Sequence, residues 1–247
     1  MKPFHEKCLS LWLMALSFSF LIGKADEIAD SSAKKIERVV RKYCGKQKGE
    51  LTQEDLGKIT QIHLWDMNIT SLKGVEKLHN LTALWIQNNQ LTEVKELKNL
   101  TKLTHLSVQS NRLVSLDGLE NLTNLEYLYL DKNKLTGVKA LTKHSKLKHL
   151  SLDDNELTDV EGLKSLSALT DLGLRNNRLT TVKGMDNMTE LTSLNLHGNG
   201  LTDVKGLEKL TRLKELLLRN NPELTKAQIS KLKKALPDCR ISSNPIK

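Results

Sequence analysis

From Ile59 onward, apolar residues recur in one arrangement every 22 residues. Starting at Leu81, Leu103, Leu125, Leu147, Leu169, Leu191 and Leu213, the chain reads L-x-x-L-x-[LIV]-x-x-N, and Ile59 opens an earlier, looser copy. Copies from Leu81 to Leu201 continue -x-L-T-x-V-x-G-L-x-x-L-x-x with small deviations. Counted from the first residue of each copy, positions 1, 4, 6, 11, 14, 17 and 20 are apolar. A single turn of chain cannot bury all of these side chains alone. Successive copies must stack into a continuous core, which is the logic of a solenoid. Positions 3 to 7 alternate polar and apolar, the period of a strand, so neighbouring copies are expected to lay their strands side by side in a parallel sheet.

Position 9 holds Asn89, Asn111, Asn133, Asn155, Asn177, Asn199 and Asn221, with Met67 in the first copy. An amide both donates and accepts, so these side chains are expected to satisfy backbone groups where strand becomes loop. The return path, such as residues 113–119, is too short for a long helix and predicts turns and single 3₁₀ turns, eased by glycine at 74, 118, 162, 184 and 206. Position 20 departs from its apolar rule at His144, read here as a tolerated edge substitution or a weak point in that coil.

Exposed solenoid ends would leave core and strand edges uncovered, so both need caps. Ile36, Val39, Val40 and Tyr43 are spaced as one helical face, and Thr52 with Asp55 has the form of a capping box. At the other end Thr225 and Gln228 repeat that form, Ile229, Leu232 and Leu236 make an inward stripe, and Pro237 stops the helix. The expected class is α/β, a solenoid with a curved parallel sheet on its concave face, turns and 3₁₀ segments on its convex face, and helical caps. Its expected divisions are 1–25 leader, 26–58 N-terminal cap, 59–224 eight repeats, and 225–247 cap helix and tail.

The L-x-x-L-x-L-x-x-N-x-L-T-x-V-x-G-L-x-x-L-T-x pattern, as in residues 147–169, is the leucine-rich repeat signature and resembles the 22-residue class of bacterial internalins and related secreted proteins. Residues 220–225, Asn-Asn-Pro-Glu-Leu-Thr before a helix, are similar to a terminator used in exported bacterial proteins of this kind. The resemblance spans roughly residues 50 to 240 and implies the fold and a binding role.

The N-terminus adds an expectation of export. Lys2 and Lys7 precede an apolar stretch from Cys8 to Ile22, and Gly23 and Ala25 supply small residues at the cleavage positions, as in a signal peptide. The apolar stretch is short for a membrane span, so cleavage and a secreted, periplasmic or cell-surface location are expected, without stable membrane insertion. Cys44 and Cys239 flank the array. Eight coils at about 4.8 Å per step separate its ends by about 34 Å, far beyond disulfide reach, so a disulfide is expected only between two molecules, if at all. A monomer is expected because core, strand ladder and both caps are present in the chain.

Strand positions 3, 5 and 7 face outward, and every Trp and Tyr within the repeats falls there: Trp65, Trp85, Tyr127 and Tyr129. Strand propensity alone favours such residues in part. Exposed aromatics are also common interface anchors. With His63, His105, Asp131 and His149 they form the candidate ligand-binding set. A zinc site is disfavoured because His105 and His149 lie two strands apart with Tyr127 between them, so no metal and no cofactor is expected. His149, Ser151 and Asp171 sketch a nucleophile–base–acid set, yet side chains two apart on a strand diverge by about 7 Å and an open sheet offers no oxyanion hole. Catalysis is not expected.

The net charge of +9 raises the question of nucleic acid. Its distribution answers it: lysines such as Lys73, Lys95, Lys139 and Lys183 sit on loops, whereas Asp131, Asp153, Asp171 and Glu215 share the sheet face with Arg175 and Arg219. The reading is an exported, non-catalytic module that holds a protein partner on its concave face. Alternatives are a polysaccharide or cell-envelope binder using the same aromatics, and a self-associating scaffold.

Overall fold

The computed structural model describes residues 31–245. The leader expected at residues 1–25 lies outside the described residues. Residues 31–44 form helix α1, followed by α2 (Gln53–Gly57). Eight short strands then recur one per copy: β1 Gln61–His63, β2 Ala83–Trp85, β3 His105–Ser107, β4 Tyr127–Tyr129, β5 His149–Ser151, β6 Asp171–Gly173, β7 Ser193–Asn195 and β8 Glu215–Leu217. Helix α3 (Lys226–Ala235) and strand β9 (Arg240–Ser242) complete the chain. The strands pair in sequence order, all parallel, as one nine-stranded sheet.

Register follows the 22-residue period, pairing Ala83 with His105 and His105 with Tyr127. Repeat positions therefore stack in columns. The inward columns make one core running from Ile36 to Leu236, with nearly every leucine at 0 to 3% exposure. After each strand the chain reverses through a residue with φ of 51 to 68°, at Asp66, Asn88, Ser110, Lys132, Asp154, Asn176, Gly198 and Asn220. Side chains with a Cβ resist that left-handed conformation, which explains the abundance of Asn, Asp and Gly at this position.

The next residue is the buried asparagine. Asn133 Nδ2 donates to Leu130 O of its own coil and to Val108 O of the preceding one, both at 3.0 Å, while its Oδ1 accepts from Leu113 N at 3.0 Å. Each asparagine thus ties two coils together through backbone groups that have no access to water. On the convex side, 3₁₀ turns occur at Val75–Lys77, Lys95–Leu97, Lys139–Leu141, Glu161–Leu163 and Leu207–Lys209. Gly118 is demanded twice over: its φ is 101°, and a Cβ there would lie 2.6 Å from Lys95 Cα.

Both capping boxes form, at Thr52–Asp55 and Thr225–Gln228. Ile36 and Val40 enter the core, but Tyr43 does not; it stays 45% exposed at the end of α1, so the cap face is narrower than its spacing suggests. Strand β9 was not expected. It adds to β8 in parallel and receives a hydrogen bond from Leu218 N to Ser242 O at 2.7 Å, covering a sheet edge that α3 alone would leave open. Its sequence lacks the leucine period, so only the geometry of the cap reveals it.

His144 corrects the edge-substitution reading. It is fully buried, with Nε2 3.0 Å from Leu119 O and Nδ1 without a partner. Cys44 and Cys239 are both free. The Cys44 thiol donates to Asp55 O at 3.4 Å, and burial pushes its pKa up, which opposes thiolate reactivity. No helix among the described residues is long and apolar enough to cross a membrane.

Candidate functional site on the concave sheet

Columns 3, 5 and 7 of the sheet place the candidate residues. In-register parallel strands lie about 4.8 Å apart, close to the separation at which aromatic rings stack, so identical columns bring rings face to face. Two ladders result. In column 5, His63 stacks on Trp85 with centroids 4.3 Å apart and planes 13° off parallel, and Trp65 leans against His63 at 4.6 Å and 53°. In column 3, Tyr127 is sandwiched between His105 at 4.3 Å and His149 at 4.8 Å, within 12° of parallel. His149 Nδ1 lies 3.1 Å from Asp171 Oδ2, and His105 Nδ1 lies 2.9 Å from Thr104 Oγ1.

The aromatics are less open than a row of outward side chains would be. Trp65 is 46% exposed, whereas Trp85, Tyr127 and Tyr129 are half-buried by their neighbours. His63 Nδ1 and Gln87 Oε1, in the corner occupied by the two indoles, are shielded and lack hydrogen-bond partners. Tyr129 joins neither stack, and burial, then proximity to Tyr127, raises its phenol pKa.

Asp131 does more than sequence reasoning assigned to it. Its Oδ1 accepts from Ser151 Oγ and, at 3.0 Å, from Asp153 N, while its Oδ2 accepts from Gln109 Nε2. Asp153 Oδ1 accepts from Arg175 N at 2.7 Å. Burial, reinforced by the charges of Asp131 and Asp154, pushes the Asp153 carboxyl up to about 6. Sequence reasoning left Asp153 outside the candidate set. The signal was present as two consecutive aspartates in column 7, Asp131 and Asp153, but the cost of that proximity depends on burial.

These contacts separate the members of the His149–Ser151–Asp171 set. Ser151 gives its proton to Asp131, and His149 faces Asp171, so Ser151 is not held against His149. Nor do any three His, Cys, Asp or Glu side chains among the described residues converge on a point where a metal ion could sit.

Comparison with known proteins agrees with this architecture. A leucine-rich repeat model (two copies) matches residues 101–143, and a second leucine-rich repeat model matches residues 123–179 and 145–201. The fold is a leucine-rich repeat solenoid. Among solved structures, an internalin (inlF) of Listeria monocytogenes is 25% identical, with a TM-score of 0.68 over 86% of this chain and 70% of that one. Internalin C2 of the same organism is 28% identical, with a TM-score of 0.59 over 72% and 90% of the two chains. A plant peptide hormone receptor, RGFR1, solved in complex with RGF2, shares the fold at 24% identity and a TM-score of 0.65, over 77% of this chain and 34% of that one. No curated protein matches the chain. The leucine-rich repeat chain is thus internalin-like in structure.

Proposed function

We propose that this is an exported, non-catalytic recognition protein that holds a protein partner against its concave sheet, with Trp65, Trp85, Tyr127 and Tyr129 as anchors and His63, His105, Asp131 and His149 around them. The observation that carries this reading is the pair of aromatic ladders on a face that no part of the described chain covers. Large, pre-ordered aromatic side chains lose little entropy on binding and supply contact area, which is why such residues dominate interface energetics. Export is supported by the leader pattern of residues 1–25, and a monomer by the capping at both ends of the sheet.

The test is affinity capture with mass-spectrometric readout, run in parallel on the unmodified protein, Trp85→Ala, and a Lys139→Ala/Lys183→Ala variant. Truncating Trp85 is expected to weaken the captured partner by about 2 kcal/mol or more, while the convex lysines change little beyond salt dependence. Loss with the lysine variant and retention with Trp85→Ala would move the working face to the convex side. A stable oligomer that captures nothing and ignores both changes would establish the scaffold reading instead.

A further inference from the structure

The positive charge of the chain is unevenly placed. Residues 59–224, the repeats, hold 21 basic and 20 acidic residues and are almost neutral. Residues 225–247 hold Lys226, Lys231, Lys233, Lys234, Arg240 and Lys247 against Asp238 alone. More than half of the net +9 therefore lies in the C-terminal cap.

The cap lysines also differ in their surroundings. Within the repeats, cations are matched by a carboxylate of their own or the adjoining coil: Lys95 pairs with Glu93, Lys148 with Glu126, Arg178 with Glu156 and Lys209 with Asp186. All four lysines of α3 are exposed, and none takes part in an ion pair among the described residues. The helix contains no acidic residue, so no i, i+4 pair can form along it. Helix stability does not account for this arrangement. Lys233 and Lys234 suit the negative end of the helix dipole, but Lys226 occupies the first turn, where a cation is disfavoured. Helix α2 shows the ordinary case, with Glu54 and Asp55 in its first turn.

Three of these lysines share a groove. Ser230, Lys233 and Lys234 lie four, seven and eight residues beyond Lys226, on one face of α3. Together with Ser243 and Pro245, after β9, they line a groove of about 520 Å³. At a rise of about 1.5 Å per residue, Lys226 and Lys234 stand about 12 Å apart along the helix axis. The charges are strung along the groove rather than gathered at a point, which suits a chain and not a single ion.

What the cap lacks narrows the ligand. Residues 225–247 contain no aromatic side chain, so nothing there can stack on the bases of a single nucleic-acid strand. Ile229, Leu232 and Leu236 are buried, which leaves α3 no apolar face to insert into a lipid surface. The groove instead offers ammonium groups beside the hydroxyls of Ser230 and Ser243, and these match a hydroxyl-rich chain that carries anions at intervals.

We propose that this groove docks an acidic polysaccharide, whose anionic groups pair with Lys226, Lys233 and Lys234. The site shares no residue with the aromatic ladders, and its occupancy does not depend on what the concave face holds.

The test is a fluorescence-anisotropy titration of a labelled, size-defined heparin oligosaccharide against the intact protein and two variants. Lys226→Gln/Lys233→Gln/Lys234→Gln empties the groove of charge. Lys143→Gln/Lys183→Gln/Lys205→Gln removes the same charge from exposed, unpaired lysines of the repeats. Glutamine has nearly the helix propensity of lysine, so α3 is retained. The groove variant should bind about tenfold more weakly or worse, three exposed ion pairs being lost, and its affinity should fall less steeply with salt. The repeat variant should stay within about twofold of the unmodified protein, since screening confines each charge to its own neighbourhood. A desulfated form of the same oligosaccharide, which leaves the protein untouched, should also bind about tenfold more weakly. Equal losses in the two variants, or no binding of heparin at physiological ionic strength, would overturn the proposal. So would binding that Trp85→Ala removes and the groove variant keeps, because the sugar would then sit on the concave ladders. Tighter binding of single-stranded DNA or of phosphatidylserine vesicles through the same three lysines would assign the groove to another class of polyanion and overturn it as well.

Discussion

His144 offers a sharp test of the structure because the same side chain affects stability in two separable ways. It occupies position 20, where neighbouring coils carry Leu122 and Leu166, and it is fully buried. Its Nε2 donates to Leu119 O, but Nδ1 has no partner. A buried unsatisfied polar atom costs about 1 to 3 kcal/mol. His144→Leu removes that atom and restores the apolar column. It strands nothing, because Leu119 O still accepts from Leu122 N at 2.9 Å. The substitution should therefore stabilise the protein by about 1 to 3 kcal/mol at neutral pH.

The second effect is pH dependence. Burial, the leading cause, depresses the His144 pKa below its ordinary 6.5, opposed in part by its backbone hydrogen bonds. Below pH 6.5 the unfolded chain then binds a proton that the folded chain resists. Stability tied to neutral His144 is present above that pH and is lost progressively as pH falls toward the depressed folded value. The assay is equilibrium denaturant unfolding of the native protein and His144→Leu across pH 5 to 8, compared as a difference so that other titrating groups cancel. The advantage of the leucine variant should grow as the solution is acidified through pH 6.5. A destabilised leucine variant, or a difference flat with pH, would refute the burial and the missing Nδ1 partner together.

Three other perturbations probe the frame. Asn133→Ala leaves Leu113 N without its acceptor and should cost about 1 to 3 kcal/mol by denaturant unfolding, whereas Asn195→Ala, whose side chain is half-buried and accepts only from His197 N, should cost less than Asn133→Ala. Equal losses would contradict the different roles of the two amides. Lys132→Gly relieves a non-glycine residue at φ 54° and should raise stability by about 1 kcal/mol; a lowered melting temperature would argue against the left-handed turn there. Deleting residues 225–247 removes both α3 and β9, so light scattering should report association through the bared β8 edge and the exposed final coil. A truncation as soluble and stable as the intact chain would show that neither element protects the array.

Much of this architecture was legible from the repeat. A fixed period with seven apolar positions makes burial possible only by stacking, so the core, the parallel sheet, the asparagine ties and the outward columns follow from local pattern alone. Both capping boxes were likewise visible, because their hydrogen bonds join residues three apart. Tertiary structure decided what depends on neighbours far away in sequence. The stacking of His105, Tyr127 and His149 arises from strand spacing, which joins side chains 22 residues apart. Sequence could place those rings on one face, but not turn their faces toward each other. Tyr43 matched a helical stripe and still ended outside the core, because periodicity states direction and not whether an opposing surface exists. His144 looked like a tolerated exception until burial made its second nitrogen costly. The contact of Asp131 with Asp153 belongs to the same class: Asp131 Oδ1 accepts from Asp153 N, 22 residues away, and only the register of the folded sheet brings them together.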